Sequence, residues 1–148
     1  MALTAPLQIA FRYGDRRWFA RLVCAIQGGD SAHCEMSVYR DRDQHHCISA
    51  SFLDDGVRFK VMPLPAAKWR IYEMPQDSTG AIEWLRAHDR DGYDWLGLLG
   101  FIVRRIRGQG DRRFCSEAAA EVLGLRDPWR YDLTLLESVC ARFGRRVQ

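Results

Sequence analysis

From Ala32 to Tyr39 the chain alternates with a period of two. Cys34, Met36 and Val38 fall on one side, and His33, Glu35, Ser37 and Tyr39 on the other. A helix cannot sort residues this way, because successive side chains change sides only on an extended strand. The stretch therefore predicts a sheet whose apolar face belongs to the core, with its polar face turned toward a cleft or solvent. Further strand signals surround it. Leu7 to Tyr13 reads as a first strand closed by Gly14. A charged turn, Arg40 to Gln44, leads to His46–Phe52, and Asp54-Asp55-Gly56 forms a hairpin-type turn into Val57–Met62. Pro63 and Pro65 break that strand, and Trp69–Met74 reads as the last one. Short polar turns between strands predict an antiparallel meander.

Elsewhere the apolar spacing is helical. Asp15 is a candidate N-cap for a helix carrying Phe19, Leu22, Val23 and Ile26 on one face, stopped by Gly28-Gly29. Ala81, Ile82, Leu85 and His88 predict a second helix ended by Gly92. Trp95, Leu98, Leu99, Ile102 and Ile106 predict a third with a strong apolar face. Helix formers from Ser116 to Leu123 end at Gly124, Asp127-Pro128-Trp129 makes a turn, and Leu133 to Phe143 is the last helix. A strand and helix, then strands, then helices define an α+β layout, an antiparallel β-meander packed against helices. At 148 residues, with no linker or repeat, the chain reads as one domain spanning 1–148.

Five cysteines without framework spacing argue against a disulfide scaffold and for a reducing compartment. No secretory signal is visible at the start, and the longest apolar run, Trp95 to Val103, is too short to span a bilayer. A soluble, cytoplasmic protein is the expectation. Twenty of the twenty-two basic residues are Arg, yet the net charge is only +3, which does not by itself argue for nucleic acid.

The chemistry centres on Arg113-Phe114-Cys115-Ser116-Glu117. Gly108, Gly110 and Asp111 forbid regular structure upstream, so Cys115 falls in the first turn of a helix. There, free N–H groups and the positive end of the helix dipole favour a thiolate. A nucleophilic cysteine also needs an imidazole and a group that orients it. His33, on the polar side of its strand, is the candidate base. On spacing alone, the commoner arrangement of one Cys and one His is a small core thiol and a surface imidazole.

The pair Ser31-Ala32-His33-Cys34-Glu35 on a strand and Phe114-Cys115-Ser116-Glu117 opening a helix resembles the circularly permuted papain-like amidases. These form the YiiX/YaeF-type branch of the NlpC-type cell-wall peptidase superfamily, related to lecithin retinol acyltransferase. In that group the histidine strand precedes the cysteine helix. The leading strand and helix, the Gly92-Tyr93-Asp94 segment and the helical C-terminus fit the same pattern, which covers most of the chain. The Tyr-Asp-Trp-Leu-Gly-Leu run and the Phe-Cys-Ser-Glu motif are similar to small phage- and prophage-carried proteins of this type.

The resemblance implies a cysteine hydrolase with Cys115 as nucleophile and His33 as base, acting without a cofactor on a peptide amide or a lipid ester. It puts Ser49, in Cys47-Ile48-Ser49-Ala50, where other members place a carboxylate, histidine or amide. Glu35, sharing a strand face with His33, is the alternative orienting group. The Cys115 N–H would hold the oxyanion, with Tyr93 as candidate second donor and a buried core tyrosine as that residue's other reading. Ser49 also feeds the alternative of a non-catalytic phage or prophage binding module on the same fold.

Two further groups are weighed against plain readings. His33, Cys34, His45, His46 and Cys47 lack metal-ligand spacing, and Cys34 is expected to point away from His33. No metal is expected, and His45 and His46 read as solvated turn residues. Arg104, Arg105, Arg107, Arg112 and Arg113 flank Cys115. They read either as a solvated loop or as a positive rim, with Arg112 and Arg113 meeting anionic groups of the substrate. No nucleic-acid partner is expected, since no aromatic platform interleaves with these arginines. The sequence leaves the oligomeric state open.

Overall fold

A computed structural model describes residues 5–51, 54, 56–89, 92–93 and 112–148, with 92–93 and 112–113 as backbone only. The order is β1 (Pro6–Tyr13), α1 (Trp18–Gln27), β2 (Ser31–Asp41), β3 (Gln44–Ser51), β4 (Gly56–Pro63), β5 (Trp69–Asp77), α2 (Thr79–His88), β6 (Gly92–Tyr93), β7 (Arg112–Arg113), α3 (Cys115–Val122), a 3-10 turn (Pro128–Arg130), α4 (Leu133–Phe143) and β8 (Arg145–Arg146). The predicted helix around Trp95 to Ile106 and the residues Arg104, Arg105 and Arg107 lie outside the described residues.

The layout is α+β: one six-stranded antiparallel sheet, ordered β4-β3-β2-β1-β5-β8, with helices against it. Only β2-β3-β4 is a simple meander. The expectation of a meander throughout is corrected, because β5 pairs with β1 and not with β4. Nor is Trp69–Asp77 the last strand, since Arg145 and Arg146 add an edge to it. The β6–β7 pair is parallel.

The alternation in β2 sorts its side chains as read. Cys34, Met36 and Val38 join Leu7, Ile9, Phe11, Ile48 and Ala50 in the main core, against the helices. Ala118, Ala119 and Ala120 are fully buried there, and their small side chains let α3 lie close on the sheet. The opposite face is not an open polar surface. Ala10, Cys47, Leu64, Trp69 and Ile71 form a second apolar cluster. Glu35, Ser37, Ser49 and His45 are buried on this side too. His45 is thus no solvated turn residue: its Nδ1 lies 2.9 Å from the Ser37 hydroxyl. His46 packs edge-on between the rings of Tyr39 and Phe59.

Helix α1 begins after Arg17, and Asp15 does not cap it in the expected way. Its carboxylate accepts the Arg17 N–H and side chain and pairs with Arg12, and the hydrogen bonds from Arg17 hold its pKa down to about 2. Gly28 closes the helix in the left-handed region at φ 68°. Leu22, expected in the core, is 47% exposed, whereas Val23 is buried. Helix α2 ends at His88, before Gly92.

A charged cluster ties β5 and the start of β2 to α4. Arg70 of β5 donates Nε to Glu137 of α4 at 2.6 Å and both terminal nitrogens to Asp30, while Ser31 and Tyr72 also donate to Glu137. Next to it, α4 stops at Gly144, whose φ of −100° any residue can adopt. What Gly144 requires is space: a Cβ there would lie 2.8 Å from the Cys140 carbonyl oxygen, 2.8 Å from the Met74 sulfur and 2.9 Å from the Glu73 carbonyl oxygen. Gly144→Ala is expected to cost about 1–3 kcal/mol by overpacking against backbone. A urea titration would read this as a lower midpoint at unchanged slope.

Candidate active site around Cys115

Cys115 opens α3 as read from the sequence, after Phe114 in an extended conformation. The N–H groups of this first turn have no acceptor within the helix. The β2–β3 ladder runs from Asp41–Gln44 to Met36–Ile48, while β1 continues alongside β2 as far as Ser31. Helix α3 packs on both β2 and β3, and the thiol of Cys115 meets β2 at Cys34 and His33.

The Cys115 sulfur lies beside both Cys34 and His33. The Cys34 side chain contributes most to holding the Cys115 thiol well below its ordinary pKa; burial opposes the shift, and the charge and hydrogen bond of His33 and the Cys34 N–H add to it. Cys34 lies in the main core, on the face opposite the cleft that His33 lines, as its alternation with His33 predicts. Its side chain lies on the core face, and that is where the sulfur of Cys115 also reaches. Burial pushes Cys34 itself well above its ordinary pKa, and the neighbouring Cys115 reinforces this. Of the two thiols, Cys115 is the one that ionises.

His33 is half-buried, and its Nε2 lies 2.7 Å from Glu35 Oε1. Nδ1 is then the ring nitrogen left to meet the sulfur. Burial alone would lower the imidazole pKa, but the charges of Cys115 and Glu35 and their hydrogen bonds outweigh it and push it up to about 10. Both shifts run in the direction that favours a thiolate on Cys115 and an imidazolium on His33. Glu35 has no exposed side-chain area. Burial would raise its pKa, yet His33 and Arg58 together hold it below the ordinary carboxylate value.

Ser49 is not the group behind the imidazole. Its hydroxyl donates to the Cys34 carbonyl at 2.7 Å, and Glu35 occupies the orienting position instead. Neighbours two apart on a strand share a face, and with His33 at the end of the strand the two side chains can lean together. Arg58 was missed from the sequence. It donates Nη1 to Glu35 Oε2 at 2.7 Å, Nη2 to Glu35 Oε1, and Nε to Asp54 at 2.8 Å. The available signal was a lone arginine in β4 between Val57 and Phe59, cross-strand from Ser49. Trp69 was missed too; its ring meets the His33 ring edge-on at 6.4 Å.

A cleft of about 490 Å³ opens over His33 and Glu35, walled by Trp18, Phe19, Met62 and Trp69. Cys115 is not part of its lining and is 6% exposed. The side chains of Tyr93, Arg112 and Arg113 lie outside the described residues, so the candidate second oxyanion donor and the basic rim have no described geometry. Among the described residues, no group of His, Cys, Asp and Glu could hold a metal ion. No described helix is long and apolar enough to cross a membrane. All five cysteines are free thiols. Comparison with known proteins returns no match, whether against family models, curated proteins or solved structures.

Proposed function

We propose that the protein is a cysteine hydrolase of the permuted papain-like type, cleaving an amide or ester through an acyl-enzyme. One observation carries this reading: the helix-start Cys115 lies beside the strand His33, and a buried carboxylate lies 2.7 Å behind the histidine. The Cys115 thiolate attacks the substrate carbonyl, and the His33 imidazolium gives its proton to the leaving nitrogen or oxygen. Water, deprotonated by the now neutral His33, then attacks the acyl carbon, and the sulfur leaves as thiolate, restoring the thiolate–imidazolium pair. The Cys115 N–H stands where an oxyanion forms at the sulfur. The helix after the histidine strand agrees with the permuted order, and a cell-wall peptide or a lipid is the substrate class that order implies.

A second reading, a binding module on the same fold, draws on the burial of Cys115 outside the cleft wall. Incubation with a small activated ester, followed by intact mass, separates the two. The enzyme reading expects an acyl adduct on Cys115 that decays by hydrolysis and is missing in Cys115→Ser. Full turnover of the ester by Cys115→Ser, or no adduct at any pH, contradicts it.

A further inference from the structure

We propose that Arg58 is a positioning residue, which holds the Glu35 carboxylate against His33 and balances the charge of the buried chain Cys115–His33–Glu35. The inference rests on the enzyme reading above and extends it by one residue. Arg58 lies two strands from Glu35, on β4, and reaches it across β3. The residue it must pass is its cross-strand partner Ser49, whose short side chain is turned down onto the Cys34 carbonyl. The guanidinium then grips both carboxylate oxygens of Glu35 and is itself held by Asp54. A forked donor on two oxygens fixes direction as well as charge. This gives Ser49 a role different from orienting the imidazole: it leaves room for Arg58.

Charge makes the second half of the argument. The groups facing Glu35 are His33 and Cys34 on its own strand, Cys47 from β3 and Arg58 from β4, with Cys115 of α3 acting through His33. Burial keeps Cys47 protonated, pushing its pKa up to about 12. Within the buried chain, thiolate, imidazolium, carboxylate and guanidinium sum to zero, and the further carboxylate on Arg58, Asp54, is 33% exposed and so solvated. Without the guanidinium the buried chain carries a net negative charge, which burial disfavours. The relief is a proton on Glu35. A protonated Glu35 no longer stabilises the imidazolium, and the thiolate loses its support in turn.

The test is the pH dependence of Cys115 alkylation by iodoacetamide in the whole protein, with folding checked by thermal unfolding. Arg58→Met is expected to move the alkylation midpoint up by about one pH unit and slow the reaction about tenfold at a pH below the wild-type midpoint. Arg58→Lys should recover part of the loss. In a Glu35→Gln background, Arg58→Met should add nothing, because its effect passes through Glu35. Ser49→Val provides a route that alters no charge: by closing the path of Arg58 it should produce the same upward shift, even if Arg58→Met fails to fold. An unchanged midpoint in Arg58→Met or Ser49→Val, or full additivity with Glu35→Gln, overturns the proposal. A wild-type midpoint at the ordinary thiol value would instead overturn the enzyme reading on which it rests.

Discussion

At about pH 6, iodoacetamide should modify one cysteine of the native protein, Cys115, and His33→Ala should slow that reaction between ten- and a hundredfold. An ordinary thiol with a pKa of about 8.5 holds well under one per cent thiolate at that pH. Cys115 is held well below the ordinary value by Cys34 and His33, so its thiolate persists. The other four are shifted the opposite way: burial raises Cys24 and Cys34, and pushes Cys47 and Cys140 up to about 12. Reactivity should fall as acid titrates Cys115 through its lowered pKa. Above about 10, where His33 loses its proton, alkylation should continue. Acyl transfer to an amine-leaving substrate should decline there, because the acid for the leaving group is gone. Depressed pKa also weakens intrinsic nucleophilicity, which is why the upper figure is a ceiling. Peptide mapping after brief labelling reads the site and the rate together. Labelling spread over several cysteines, or an equal rate in His33→Ala, would contradict the assignment.

Glu35→Ala and Ser49→Ala should differ widely, both in stability and in the reactivity of Cys115. Removing Glu35 strips Arg58 and His33 of the carboxylate between them. Arg58 is 14% exposed at its side chain and keeps only Asp54. Leaving a buried charge without its partner costs about 3–5 kcal/mol, and Asp54 should hold the loss near the lower figure. The imidazolium loses its counter-ion at the same time, so alkylation at about pH 6 should fall at least tenfold. Ser49→Ala removes the hydroxyl's hydrogen bond to the Cys34 carbonyl at 2.7 Å and its longer contact with the Ala50 carbonyl at 3.4 Å. That is worth about 1 kcal/mol, with little change at the sulfur. Urea midpoints and alkylation rates for the two variants measure the contrast. Equal losses, or a greater loss of reactivity in Ser49→Ala, would restore Ser49 as the orienting group.

Where one local pattern decides the conformation, the sequence was sufficient. The alternation of Cys34, Met36 and Val38 could satisfy a core only from a strand, and Gly28 could close α1 only in the left-handed region. Cys115 fell at the helix start because loop formers stop and helix formers begin there. Features that depend on a second element were not legible. The polar side of β2 was expected toward a cleft or solvent, and a cleft does open over His33 and Glu35, but Leu64, just after β4, and Trp69, at the start of β5, also join a second core on that face, where Glu35 is buried. The same burial turns Glu35 from a surface acid into the partner of both His33 and Arg58. Leu22 has helical spacing, but nothing packs over its side of α1 deeply enough to cover it. The pairing of β5 with β1 depends on a long-range choice of partner that short turns do not encode.

Thiolate absorbance in the far ultraviolet, titrated in wild type and in Cys115→Ser, tests the ion pair most directly, because it needs neither a substrate nor access of a reagent to the sulfur. The difference between the two proteins should report one thiolate already formed at neutral pH and lost only on acidification, with its midpoint returning upward in His33→Ala. A difference that develops only at about pH 8.5 or higher, as for an unassisted thiol, would contradict the assignment of Cys115 as an activated nucleophile.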